Sequence, residues 1–192
     1  MIKYSVFLFL SFTMVLTACT QNITVSIDAI ETKDNIAYLK GSDLPFTGKA
    51  MAYFPDGKPS LEISYVNGKE TGISRIWYAN GNLRTESEMF EGKIHGKYIE
   101  YYENGKIAAE VTYDNDYMNG PCTRYYENGK IKEQGQYEHC REHGWWIYYF
   151  ENGQKQAEGE YDRANKVGEW KEWDEKGQLK TPNSEKSIGP KS

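Results

Sequence analysis

Gly48, Gly72, Gly96, Gly120, Gly144 and Gly168 stand 24 residues apart without slippage, and this beat constrains the fold more than any other feature of the chain. Nine positions after each stands a second glycine: Gly57, Gly81, Gly105, Gly129, Gly153 and Gly177. The residues before these are Asp56, Asn80, Asn104, Asn128, Asn152 and Lys176. Three blocks are nearly identical, running Tyr-Tyr-Glu-Asn-Gly-Lys-Ile from Tyr101 and from Tyr125, and Tyr-Phe-Glu-Asn-Gly-Gln from Tyr149. Six copies free of insertions are the mark of a repeat architecture, in which each unit buries its apolar surface only against its neighbours.

Each unit reads as two short strands. Asn-Gly or Asp-Gly between apolar or aromatic runs is a strong hairpin signal, since both residues tolerate positive φ. Two-residue and three-residue loops both fit, and they differ in which aromatics share a face with the carboxylates described below. The strand before the turn ends in paired aromatics: Tyr53-Phe54, Trp77-Tyr78, Tyr101-Tyr102, Tyr125-Tyr126 and Tyr149-Phe150. The strand after it alternates, with Leu83, Thr85, Ser87 and Met89 opposite Arg84, Glu86 and Glu88. Period-two alternation marks a half-buried strand. A second connector, such as the six residues from Glu91 to Gly96, returns the chain to the next unit.

Nothing between Gly48 and Leu179 has helical periodicity. The fold class predicted is therefore all-β: an elongated, single-layer, antiparallel β-meander of hairpin repeats, with about twelve strands spanning about 55 Å at 4.8 Å each. Composition agrees, with mean hydropathy of -0.77 and 16 Tyr among 192 residues, too little apolar mass for a thick core and too many aromatics for disorder. Cross-strand aromatic and aliphatic pairs must supply the stability. The ends read as capped, the first unit interrupted by Pro55 and Pro59 and the last carrying Asp174 in place of an aromatic, since proline and charge blunt a sheet edge.

The start of the chain has a different grammar. Lys3 is followed by an uncharged apolar run from Tyr4 to Ala18, ending Leu16-Thr17-Ala18-Cys19. A charged start, a run of about 15 residues and a small residue before the cut make a secretory signal. Fifteen helical residues reach about 22 Å, short of the roughly 30 Å bilayer core, so a permanent span fits less well. The division expected is a signal over 1–18, a modified Cys19 with a linker and irregular strands over 19–44 (at Ile23–Ile27 and Ile36–Leu39), repeats over 45–180, and a disordered tail over 181–192.

The pattern Gly-x-Trp/Tyr-x-x-Tyr-Tyr-x-Asn-Gly-Lys-Ile/Leu resembles the MORN repeat variant of bacterial proteins, over about residues 45–180. Leu16-Thr17-Ala18-Cys19 likewise resembles the lipobox of bacterial lipoproteins. This implies lipidation (palmitate and related acyl chains) at Cys19 and attachment to the cell envelope, in the outer membrane where there is one, because Thr20 rather than Asp follows. Several acyl chains, at about 0.8 kcal/mol per buried CH₂, hold a soluble domain firmly. Many lipoproteins of this make-up resemble YwqK-type toxin–antitoxin antitoxins, which implies neutralisation of a toxin by direct binding as an alternative role.

Motifs for catalysis or cofactors are lacking. There is no P-loop, GxSxG, GxGxxG or CxxC pattern, and no cofactor and no enzymatic activity are expected. His139-Cys140-Arg141-Glu142-His143 has the residue types of a metal site. A turn role explains His143, no second half exists elsewhere, and no metal is expected. Glu62, Glu86, Glu110 and Glu158 share one repeat position, with Gln134 in the gap. On alternate strands they stand about 9.6 Å apart, a spacing suited to inverting glycoside hydrolysis, but a thin sheet offers no pocket to raise one carboxyl, so a solvated face that binds a basic partner is the better reading. Cys122 and Cys140 lie about five residues apart along the strands, near 17 Å, too far for a disulfide.

A net charge of -5 lacks the basic footprint of nucleic-acid binding. The aromatics leave a positive expectation: adjacent Trp145 and Trp146 point to opposite faces, so one of them is exposed, beside Arg124 and Arg141. The partner-binding set predicted is Trp145, Trp146, Trp77, Tyr101, Tyr125, Tyr149, Glu86 and Glu110. The function expected is that of a non-enzymatic, lipid-anchored scaffold whose sheet face binds a protein or glycan, with a homodimer through that face also possible.

Overall fold

The computed structural model describes residues 23–180. The signal-like segment, Cys19 and the polar tail fall outside them. The strands are β1 (Thr24–Ser26), β2 (Ile30–Lys33), β3 (Ile36–Leu39), β4 (Gly48–Tyr53), β5 (Pro59–Val66), β6 (Lys69–Glu70), β7 (Gly72–Trp77), β8 (Leu83–Phe90), β9 (Lys93–Tyr101), β10 (Ile107–Asp114), β11 (Tyr117–Tyr125), β12 (Ile131–Glu138), β13 (Arg141–Tyr149), β14 (Lys155–Asp162) and β15 (Asn165–Glu172). A 3-10 turn, Ile27–Ala29, joins the first two. From β4 onward each long strand pairs antiparallel with the next in sequence, which is the meander expected. The short β1 adds a parallel strand to the edge at β4, and β6 pairs with β5. A separate two-stranded sheet, β2–β3, packs its Ala37 with Phe46, Ala50 and Tyr65 at the N-terminal end.

The structure decides the loop length that the sequence left open, and the two edges of the sheet use different reversals. At the Asn-Gly turns only the glycine has positive φ: 96° at Gly81, 83° at Gly105, 91° at Gly129 and 93° at Gly153. In each, the glycine N–H donates to a carbonyl three residues back, as Gly105 does to Tyr102 at 2.9 Å, and Tyr102 N–H donates to Lys106 O at 2.8 Å. This is a three-residue loop, a type I turn closed by a left-handed glycine. Pro55 takes the second position of the first such turn, where its fixed φ is favoured, so it supports the unit rather than interrupting it.

Both central residues have positive φ at the other edge: Asn67-Gly68, Glu91-Gly92, Asn115-Asp116, His139-Cys140 and Arg163-Ala164. These two-residue reversals match the right-handed strand twist. The glycines at 96, 120, 144 and 168 therefore mark bulges inside strands, not turns. Opposite Gly120, for example, the register jumps from Val111↔Cys122 to Tyr113↔Met118.

Both edges are stitched from unit to unit. Asn80, Asn104, Asn128 and Asn152 donate through Nδ2 to the carbonyls of Glu103, Glu127, Glu151 and Glu175, at 2.8–3.4 Å. Tyr78, Tyr102 and Tyr126 donate through their hydroxyls to the carbonyls of Tyr101, Tyr125 and Tyr149, at 2.6–2.9 Å. At the opposite edge Gly92, Asp116, Cys140 and Ala164 donate N–H to the carbonyls of Glu70, Ile94, Met118 and Glu142. The hydroxyl ladder ends at Phe150, which has none to give.

One face of the sheet carries the core. Trp146 is 1% exposed although no second layer covers it. Its ring lies on Gly135, where a methyl group would overlap it, and Trp170 lies likewise on Gly159. Tyr137, Tyr148 and Tyr161 close around Trp146 with ring centroids 5.2–6.2 Å away. Cys122 is buried beside this cluster, while Cys140 is exposed in its turn, accepting from Met118 N–H; both are free thiols.

Candidate functional site

Strand alternation and cross-strand register decide which side chains share the other face. The pairs Met51↔Glu62, Glu62↔Arg75, Arg75↔Glu86, Glu86↔Ile99, Ile99↔Glu110, Glu110↔Thr123, Thr123↔Gln134, Gln134↔Ile147 and Ile147↔Glu158 form one row across ten strands. Trp77, Tyr101, Tyr125 and Tyr149 stand two residues along from Arg75, Ile99, Thr123 and Ile147, and so on the same face. Trp145, two residues from Ile147 on the other side, joins them. Seven of the eight residues singled out from the sequence thus converge on one face. Trp146 does not; it is the buried centre of the opposite side.

The carboxylate row is less open than the sequence suggests, because basic side chains occupy the strands between. Arg75 bridges Glu62 and Glu86 at 3.0 and 2.7 Å, and Lys49 also reaches Glu62 at 3.0 Å. Lys97 pairs with Glu110 at 2.7 Å, and the Tyr125 hydroxyl donates to the same carboxylate at 2.9 Å. Lys97 and Tyr125 together hold the Glu110 carboxyl below the usual range, the opposite of what a general acid needs. Lys155 pairs with Glu158 at 2.6 Å. Sequence reasoning missed Arg75 and Lys97, which stand at different repeat positions: Arg75 where other units hold Ile99, Thr123 and Ile147, and Lys97 where they hold Ile73 and Pro121.

Trp145 is 53% exposed. It lines a shallow hollow of about 270 Å3 with Pro121, Thr123, Gln134, Gln136 and Ile147. A second hollow of about 320 Å3, lined by Lys97, Glu110, Thr112, Pro121 and Thr123, adjoins it. Arg124 is not beside Trp145 as expected. It lies on the core face, where burial opposes its charge but hydrogen bonds to Glu133 and Tyr137 hold it firmly protonated.

A larger hollow, about 660 Å3, lies between the β2–β3 hairpin and the two-residue turns. Its walls include Asp34, Glu70, Glu91, Asp116, Lys69 and Lys93. Lys69 and Glu91 satisfy each other at 3.2 Å, and burial pushes the Glu70 carboxyl up. No large aromatic is exposed there, so the Trp145 face is the better candidate. Among the described residues no three His, Cys, Asp or Glu side chains converge as metal ligands would.

Comparison with solved structures finds an S. aureus TarM mutant in complex with Fondaparinux, alpha-GlcNAc-glycerol and UDP. The match has 12% identity and a TM-score of 0.30, and covers 56% of this chain but only 19% of that one, too slight a likeness to carry an argument. No curated protein matches the chain. The family model described as MORN repeat variant matches six times, at residues 46–67, 70–90, 94–115, 118–139, 142–163 and 166–181, in step with the hairpin units. Six matches over more than half its length place this chain in the MORN repeat variant family.

Proposed function

We propose that the chain is a non-enzymatic, lipid-anchored scaffold whose polar sheet face binds another macromolecule of the cell envelope. Repeats of this family are generally protein- or membrane-binding modules. The observation that carries the reading is the convergence of Trp77, Tyr101, Tyr125, Tyr149, Trp145, Glu86 and Glu110 on one face, with Trp145 more than half exposed. The opposite face spends its large aromatics on its own core. Aromatic anchors in a polar surround are the usual make-up of a binding hot spot.

The test is a pull-down from detergent-solubilised envelope with the wild type and with a variant carrying Trp145→Lys and Ile99→Lys. Capture lost in the variant, with the β-sheet spectrum unchanged, supports the face. Capture that is equal for both removes the face from the account. Recovery of one small toxic protein in one-to-one ratio would favour the antitoxin role over a general scaffold.

Anchoring rests on Cys19 and the apolar run before it. Cys19→Ala should abolish palmitate labelling and release the protein without detergent; labelling that persists removes the lipid anchor.

A further inference from the structure

The carboxylate row is interrupted at one place, and there the repeats depart from their own pattern. Glu62, Glu86, Glu110 and Glu158 give way to Gln134, and Gln136 stands at the position held by Ser64, Glu88, Thr112 and Glu160 in the other units. The positions equivalent to Trp145 hold Lys49, Ile73, Lys97, Pro121 and Glu169, so this large aromatic is peculiar to one unit. Loss of charge and gain of an exposed ring coincide in space: Gln134, Gln136, Thr123, Pro121, Ile147 and Trp145 share one hollow. Of the carboxylates flanking it, Glu110 is satisfied by Lys97 and Glu158 by Lys155, while Glu160 stands across from Trp145 without an ion-pair partner among the described residues.

From this geometry we infer that the trough around Trp145 binds an uncharged oligosaccharide. The inference deepens the sheet-face reading and rests on it. A pyranose ring offers an apolar face of C–H groups and a rim of hydroxyls that both donate and accept. Trp145 supplies a flat apolar platform, half out of solvent contact, for the ring face. Carboxamides donate and accept from one planar group, so Gln134 and Gln136 match the hydroxyl rim, and the Thr123 hydroxyl adds a third such group. A face of a sheet has its backbone groups already paired, which leaves a peptide no strand to add to. The unsatisfied Glu160 and the acidic chain as a whole repel a sulfated or uronic polymer. The adjoining hollow shares Pro121 and Thr123. It extends the trough from β13 to β9, four strand spacings or about 19 Å, the length of several sugar rings.

The test titrates the full chain in detergent with cellohexaose, chitohexaose and maltohexaose by calorimetry. At least one is expected to give a saturable isotherm below about 1 mM. Trp145→Ala should weaken it tenfold or more, Trp145→Phe only a few-fold, and the pair Gln134→Ala with Gln136→Ala about tenfold. Phe90→Ala, an exposed apolar residue outside the partner-binding set, should leave it unchanged. No isotherm with any of the three, or binding indifferent to Trp145→Ala in a chain with an unchanged β-sheet spectrum, overturns the inference. If the saccharides fail while envelope capture still depends on the Trp145 face, the ligand is a protein and the sheet-face reading stands alone.

Discussion

Trp146 is buried in a single layer because the residue beneath it has no side chain. An indole needs a cover on both sides, and Gly135 brings the backbone up to one side while Tyr137, Tyr148 and Tyr161 crowd the edges. Gly135→Ala should therefore cost about 2–3 kcal/mol by overpacking. In a denaturant cycle with Trp146→Ala most of that cost should vanish, since the clash has then lost its partner; additive costs would show that the ring does not rest on the glycine. Glu110 gives a pH signature. Lys97 and Tyr125 hold its folded pKa below the ordinary glutamate value of 4.5, so its contribution is present above that pH and is lost as pH falls through the lower, folded value. Below about pH 4.5 the wild type should lose stability more steeply than Glu110→Gln, as read by urea midpoints along an acid series. The Trp145-Trp146 pair shows how far residues were legible. Alternation announced that one ring faces each way, but which ring is exposed depends on the glycine on the neighbouring strand, a cross-strand fact.

At the scale of elements, the period of the turns was legible and their conformations were not. Asn-Gly is compatible with two-residue and three-residue loops, and these loops are the three-residue kind, needing only a left-handed glycine, because a type I turn with one extra residue carries the asparagine in an ordinary conformation. Its side chain is then free to accept from the residue two ahead and donate to the next unit, as Asn104 does to Glu127. The true double left-handed turns use unexpected residues, such as His139-Cys140 and Arg163-Ala164. Ala164 has φ of 68° and no side-chain hydrogen bond to offset it. Ala164→Gly should stabilise the chain by about 0.5–1 kcal/mol, the left-handed strain relieved less the added freedom of glycine when unfolded. A melting temperature that falls instead would show that this turn is unstrained.

For the whole molecule, stability is a sum over units and their interfaces. Deleting Asn115 through Glu138, one full period, joins Asp114 directly to His139 and keeps every face in phase. That shortened chain should remain a cooperative β-sheet with a lower melting temperature. Deleting twelve residues, one strand and one turn, reverses the direction of all later strands and should leave the part beyond the deletion unpaired in circular dichroism and hydrogen exchange. Equal behaviour of the two deletions would argue against a register-locked meander.

What the sequence determined by itself was the periodic part: strand count, meander order and the glycine beat, because hairpin chemistry is local and repeats every 24 residues. It also placed Trp77, Tyr101, Tyr125, Tyr149, Glu86 and Glu110 as candidates, by their repeat positions alone. Tertiary structure decided which of them share a face, since that depends on loop length and on bulges that shift the register by whole residues. It also decided that Arg75 and Lys97 quench the carboxylate row, and that Gln134 and Gln136 line a hollow with Trp145, because side chains far apart in sequence meet only when neighbouring strands are in register.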